Sequence, residues 1–271
     1  MGRPMVDRLR AAGHDVVVHL RRTEAQAAAD AEGLAWAATV AETVAGAEVV
    51  IVVVLSDAQL QEVCLGDDGA IAHMAPGSLL VSHTTCDPTT VLALGEAAAV
   101  RGVDVLDAAL SGGPHDIDAG RLTLWVGGPP ALLAAASELL EAYASPVMAV
   151  GPLGNGQRVK LVNNALFVAQ VGLAIDAVRL AGSLGIGEHE ILAAVAEGSG
   201  ASVGLGVVAR SSSVAAIPSQ LGTLMAKDLA VVREVAARAG ADLGILGDVL
   251  DSEAITTKVL GQPSAPGGGA T

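Results

Sequence analysis

The sequence predicts an α/β protein in which a doubly wound parallel sheet, lacking its first strand, is followed by an all-helical C-terminal domain. Three observations lead there. Up to about residue 150, short apolar runs alternate with helical stretches at a period of roughly 25 residues, and the units differ in length, which excludes a solenoid. The runs are nearly all-apolar, AEVVIVVV over residues 47–54 being the clearest, as in parallel strands covered on both faces. After Gly151 no strand pattern remains.

The chain opens inside a β-α-β unit. MGRPMVDRLRAAGHDVVVHLRR reads as a helix over residues 4–12, a turn at Gly13 and a strand over 15–20. A dinucleotide fingerprint of the form G-x-G-x-x-G sits between a first strand and such a helix, and here only Gly2 fits its last position. The strand ends in Arg21, Arg22 and Thr23. An acidic residue at that tip suits the ribose 2′-hydroxyl of NAD, whereas arginine suits a 2′-phosphate. The absence of an acid there favours NADP, with NAD and an ordinary basic loop as the alternatives.

The strand over 47–54 ends at Leu55, Ser56 and Asp57, beyond the carboxyl end where such sheets bind ligands. A helix starts near Gln59, and a strand over 78–82 runs into the polar loop His83, Thr84, Thr85, Cys86, Asp87, Pro88 before a helix over 89–101. The strand over 103–108 is followed by Ser111, Gly112 and Gly113. Successive glycines expose backbone N–H groups in a nest suited to a carboxylate, although the same residues also make a simple hairpin turn. A strand over 122–126, a helix over 131–143 and a strand over 147–150 complete a domain of residues 1–152.

The second domain, 153–260, begins with a long helix over 157–184, GNGQRVKLVNNALFVAQVGLAIDAVRLAGSLG with its flanks. Apolar residues cover most of its circumference, as in a helix buried on several sides. Lys160 and Asn164, at i and i+4, share one face beside Asn163. Desolvation lowers a lysine's pKa toward the range useful for proton transfer; the plainer alternative is a snorkelling lysine between satisfied amides. Further helices are expected over 188–197, 217–239 and 246–260, the second of them carrying Lys227, Asp228 and Leu229. An isolated surface ion pair would explain that triplet equally well. The Gly/Pro-rich tail, 261–271, reads as disordered.

Composition narrows the function. Of 271 residues 52% are hydrophobic and 16% charged, so the chain folds, and with 1% aromatics its core is built from Ala, Val and Leu. A net charge of −14 argues against nucleic acid or an anionic membrane surface as partner, but not against a small anion held by local cations. No apolar run reaches the ~20 uncharged residues of a spanning helix, and no signal peptide is visible. Cys64 and Cys86 read as reduced thiols of a cytoplasmic protein, and the scattered histidines show no metal-ligand spacing.

Four segments, in order, resemble the β-hydroxyacid dehydrogenases: MGRPM with AGHDVVVHLRRT, DAALSGGPHDIDAGRLTLWVGG, GNGQRVKLVNN, and KDL at Lys227. The resemblance implies a Rossmann-type cofactor domain and an NADP-dependent (or NAD-dependent) exchange of hydride with a small β-hydroxyacid or its semialdehyde. It implies Lys160 as general acid/base, Asn164 orienting the substrate, and Ser111, Gly112 and Gly113 holding the substrate carboxylate. Gly2, Arg21, Arg22, Thr23, Leu55, Ser56, Thr85 and Lys227 fall to the cofactor. A homodimer or homotetramer assembled through the helical half is also implied. The sequence departs from the family's pattern at Asp116, usually glycine, at Arg121, usually a small hydroxyl residue, and around Ser219, Gln220 and Leu221, where a phenylalanine is usual. An imine reductase-like enzyme, though these generally lack such a lysine, and a noncatalytic module on the same fold are the other readings.

Overall fold

A computed structural model describes residues 1–211 and 213–261, with Gln220, Leu221 and Leu224 described by their backbone alone; the tail from residue 262 lies outside the described residues. Two compact units divide at Lys160: residues 1–160 and 161–271. The division falls inside a helix, later than the sequence boundary near residue 152, because the first turn of that helix is bonded into the sheet of the first unit.

The first unit runs α1 (Gly2–Ala11), β1 (Val17–His19), α2 (Thr23–Ala31), β2 (Ala35–Ala37), α3 (Val40–Val44), β3 (Val49–Val52), α4 (Asp57–Cys64), α5 (Ala70–His73), β4 (Leu79–Ser82), α6 (Pro88–Val100), β5 (Asp104–Ser111), α7 (Pro114–Asp118), β6 (Leu122–Gly127), α8 (Pro130–Glu141) and β7 (Ala144–Ala149). The strands form two sheets. β1 and β2 pair in parallel, and β3, β4, β5, β6 and β7 pair in that order. The two sheets are not hydrogen-bonded to one another, so β3 is an edge of the larger one. The edge is legible in burial: Val49, Val50 and Ile51 of β3 are partly exposed and only Val52 is buried, whereas its neighbour β4 is buried throughout.

Two apolar layers sandwich the larger sheet, because successive side chains on a strand point to opposite faces. On β4, Leu79 and Val81 join the layer of α1 and α8 (Met5, Leu9, Ala136, Leu140), while Leu80 joins that of α4 and α6 (Leu60, Val91, Leu94). The expected parallel sheet is parallel in every pairing but one: β6 pairs antiparallel with β5, from Ser111 opposite Thr123 to Asp107 opposite Gly127. The link between Ser111 and Leu122 is shorter than the dozen or so residues a parallel crossover needs. The Ser-Gly-Gly turn therefore does serve the hairpin-like reversal that the sequence left open. Strand β2 with the helices α2 and α3 went unread in the sequence, since AWA offers too short a pattern to register.

The long helix α9 (Asn155–Ser183) leads into the second unit, which continues through α10 (Glu188–Ala196), α11 (Val203–Arg210), α12 (Ile217–Ala239), α13 (Gly244–Leu250) and α14 (Glu253–Thr256). The single helix expected over 246–260 is two short ones, α13 and α14, and α11 was not anticipated. Leu161, Ala165, Val168, Val171 and Ile175 of α9 form one core with Leu205 and Val208 of α11, Met225, Leu229 and Val232 of α12, and Ile255 of α14.

α9 is apolar beyond the faces that the fold buries. By length and composition it is apolar enough to cross a membrane, although half of its apolar window is buried inside the fold. Nor is it covered all round. Val162 (67% exposed), Leu166 (51%), Leu173 (55%) and Leu180 (59%) stay in the open, as does Leu184 (69%) in the turn that follows. At 3.6 residues per turn the four on the helix fall within about 40° of one another, as a stripe.

Candidate active site

The carboxyl ends of the parallel strands carry most of the residues singled out in the sequence. Beyond β1 stand Arg21 and Arg22, both exposed, and Thr23, which opens α2. Arg22 occupies the N-cap of α2 without capping it through its side chain. Gln26 of α2 donates to the Leu20 carbonyl at 2.8 Å and so fixes the turn that presents the two arginines. His19, at the end of β1, has both ring nitrogens covered without a hydrogen-bond partner; burial, and then the charge of Arg21, push its pKa down.

Beyond β3 comes Leu55, 69% exposed, whose N–H donates to Gln59 Oε1 at 3.0 Å. The Ser56 hydroxyl accepts from the Gln59 N–H at 3.3 Å and caps α4, a structural employment that its assignment to the cofactor did not foresee. Two further side chains tie this loop to the one beyond β4. Thr84 Oγ1 accepts the Val54 N–H at 3.0 Å, and Asp57 accepts from the Asp87 N–H at 2.9 Å and the Thr90 hydroxyl at 2.8 Å. Thr85, half-buried, lies within the loop so fixed.

Behind that loop His83 is fully enclosed. Its Nδ1 lies 2.5 Å from the Ala108 carbonyl and its Nε2 2.8 Å from the Tyr143 hydroxyl. A carbonyl only accepts, so Nδ1 carries the proton and Nε2 accepts from the phenol. Burial pushes the His83 pKa down to about 4, against the pull of the Ala108 carbonyl. This imidazole is therefore neutral and structural.

Asp107 was not singled out in the sequence except as the first letter of a motif. It sits on β5, fully buried, and both oxygens are engaged: Oδ1 accepts the Gly154 N–H at 2.7 Å and Oδ2 the Gln157 N–H at 2.8 Å. Burial raises its pKa to about 6, opposed by these N–H donors. A carboxylate at a helix N-terminus complements the unpaired N–H groups and the positive end of the helix dipole. Gln157, also buried, accepts from the Cys86 N–H and donates to the Thr84 carbonyl, each at 3.0 Å. The approach is close enough to require glycine. A Cβ on Gly156 would lie 2.7 Å from Asp107 Oδ2 and 2.5 Å from the Trp125 carbonyl, and one on Gly127 would collide with Asp107 Oδ1. Lys160 follows Gln157 by three residues on the same helix and is half-buried.

Ser111 ends β5, Gly112 takes φ of +125°, and Gly113 is extended at the start of α7. The nest anticipated for a substrate carboxylate already has an occupant. Asp116 Oδ2 accepts the Gly113 N–H at 2.8 Å, and His115 Nε2 lies 3.2 Å from the same oxygen.

In the second unit Asn164 is buried and donates to Asp228 Oδ2 at 2.6 Å, while its own Oδ1 lies 3.3 Å from Asn163 Nδ2. Lys227 Nζ stands 3.1 Å from Asp228 Oδ1, at ion-pair distance without hydrogen-bond alignment. The Lys227 and Asp228 pair is thus no isolated surface pair. Asp228 is 4% exposed and joins Lys227 to Asn164, which the sequence treated separately. Of the family-position residues near α12, Gln220 and Leu221 have side chains outside the described residues.

Comparison with known proteins falls on both halves. Residues 1–151 match the family model described as the NAD binding domain of 6-phosphogluconate dehydrogenase, and residues 154–259 that described as NAD-binding of NADP-dependent 3-hydroxyisobutyrate dehydrogenase. An NAD-dependent L-serine dehydrogenase of Pseudomonas aeruginosa is 36% identical over 196 residues, 72% of this chain and 65% of the relative. A 3-hydroxyisobutyrate dehydrogenase of the same organism is 37% identical over 166 residues, 61% of this chain and 56% of the relative. The match thus spans less than two thirds of either relative's length. Among solved structures, the Mycobacterium tuberculosis 3-hydroxyisobutyrate dehydrogenase with L-serine superposes with a TM-score of 0.81 at 27% identity, covering 93% of this chain and 88% of that one.

Proposed function

Because the chain belongs to the β-hydroxyacid dehydrogenase family, we propose that it interconverts a small β-hydroxyacid and its semialdehyde with a nicotinamide dinucleotide, Lys160 being the general acid/base. The observation that carries the reading is the placement of Lys160 on the first turns of α9, the helix start that a buried carboxylate and a buried amide bond to the sheet and to the loop beyond β4. A lysine merely snorkelling to solvent has no use for such fixing.

The residues at the strand ends fit a dinucleotide. α1 has neither a side-chain cap nor an acid in its first turn, so its N–H groups are available to a phosphate. Leu55 offers an exposed apolar surface to a ring, Thr85 lies beside it in the series of loops, and Arg21, Arg22 and Thr23 suit a 2′-phosphate, which favours NADP over NAD. A dinucleotide held there would supply the hydride acceptor for the carbinol carbon, and the donor in reverse. The Lys160 amine takes the hydroxyl proton in the oxidation and in reverse protonates the carbonyl oxygen. Asn164 orients the substrate with the amide capacity that Asp228 leaves unused. By the family resemblance Lys227 falls to the cofactor. The test is a panel of small hydroxyacids with NADP⁺ and NAD⁺. Reduction of either with a β-hydroxyacid is expected, and none with any member would refute the reading.

Asp116 bears on the substrate. Ser111 and Gly112 are left to meet the substrate carboxylate, while the Gly113 N–H is spent on the chain's own anion. Asp116→Gly restores that donor and removes a like charge. A hydrogen bond to a charged group is worth about 1.5–3 kcal/mol, so KM for a hydroxyacid is expected to fall about tenfold or more. KM for the matching uncharged alcohol is expected to stay put; an equal change in both would remove Asp116 from carboxylate recognition.

Assembly follows from the stripe along α9. A row of exposed leucines on a helix is covered economically by the same row of a second copy. Sedimentation of the parent is expected to give a dimer or tetramer, and Leu173→Asp with Leu180→Asp a lighter species of unchanged helicity. A parent monomer of 26.8 kDa would contradict this.

A further inference from the structure

We propose that Asp107 and Gln157 are positioning residues: together they hold the first turn of α9, and with it the Lys160 amine, in one place relative to the loop of Thr84, Thr85 and Cys86. The inference rests on the role assigned to Lys160.

A helix start needs acceptors for its first N–H groups, and a cap on the helix itself suffices for that, as Ser56 does for α4. α9 is held differently. Its acceptor is a carboxylate reaching in from β5, 47 residues from Gly154 in sequence and 50 from Gln157. The bond therefore fixes the helix to the sheet as well as completing its end. The Gln157 side chain adds a second attachment, using its oxygen on the Cys86 N–H and its nitrogen on the Thr84 carbonyl, 71 and 73 residues away. Gly127 and Gly156, where any side chain would strike Asp107 or the Trp125 carbonyl, allow sheet and helix to come this near.

The same loop is tied from its other side by Thr84 Oγ1 to Val54 and by Asp57 to Asp87 and Thr90. The loop beyond β3, the loop beyond β4 and the first turn of α9 are thereby one bonded assembly, and Lys160 issues from it within a turn of Gln157. Proton transfer demands a donor and acceptor at hydrogen-bond distance, and a misplacement of about 1 Å costs up to about 10²-fold in rate. A buried carboxylate and a buried amide spent on one helical turn are the device that holds that tolerance.

Gln157→Met keeps the volume of the side chain and removes both loop bonds, while Asp107→Asn keeps its shape and withdraws one acceptor. Two readouts decide. In turnover, Gln157→Met is expected to lower kcat by about 10–100-fold with KM for the dinucleotide unchanged. In competitive amine labelling read by mass spectrometry, Lys160 is expected to react faster in both variants relative to Lys258, which sits in the second unit and serves as internal standard; the chain's lysines are Lys160, Lys227 and Lys258. Thermal melting is followed alongside. If Asp107→Asn does not fold, Gln157→Met decides by itself. A Lys160 labelling ratio equal to the parent's, or a loss of kcat that merely follows lost folded protein, overturns the proposal. Should the parent turn over no hydroxyacid, the failure is that of the functional reading, and the labelling ratio still tests whether these residues hold the amine.

Discussion

Lys160→Ala is expected to lower kcat for hydroxyacid oxidation by about 10²–10⁴-fold, the usual weight of general acid/base catalysis. The alanine variant keeps the helix, since alanine is the best helix former and the anchoring bonds of Asp107 and Gln157 lie earlier in the chain. Cofactor affinity should therefore survive. That split separates a chemical role from a structural one: a residue that merely packed would lose stability and leave the rate per folded molecule intact. Turnover within tenfold of the parent would remove Lys160 from the mechanism.

The second large effect concerns the cofactor. Arg22→Asp is expected to weaken NADPH by about 10–100-fold while leaving NADH little changed, because it replaces a charge-assisted donor to the 2′-phosphate by a like charge. Arg22 is exposed, so the effect should shrink as salt is added, whereas a loss of fold would not. The substitution is mild locally. Arg22 occupies an N-cap position it does not cap, and aspartate is a preferred residue there. Equal losses for both dinucleotides would show that Arg22 does not read the phosphate.

Much of this was legible in the sequence, for identifiable reasons. The strand over 79–82 was readable as a short apolar run buried at every position, and the helix from Ile217 to Ala239 as a long apolar stretch ended by Gly240. The reversal of β6 was not, since direction is set by the length of the link after Ser111 and not by the pattern inside the strand. Lys160 stood out as a cation in an apolar helix, and Ser111 with its two glycines stood out as a turn. Asp107 and Gln157 did not, because their partners lie 47 to 73 residues away and no local spacing announces them. Asp116 was visible as a departure, and its bond to the Gly113 N–H is the local one by which an N3 carboxylate accepts from the N-cap residue of its own helix. That α9 carries more apolar surface than one helical domain covers was legible in its composition, but which of its residues stay uncovered is decided only by packing.

The central claim is that hydride passes between a β-hydroxyacid and a nicotinamide dinucleotide under the control of Lys160. The direct measurement uses a substrate deuterated at the carbinol carbon and follows the label. Deuterium is expected in the reduced dinucleotide recovered from the parent, at a rate that falls with kcat in Lys160→Ala. A parent that oxidises the acid without placing deuterium in the dinucleotide, or a Lys160→Ala variant that transfers it as fast as the parent, would contradict the account.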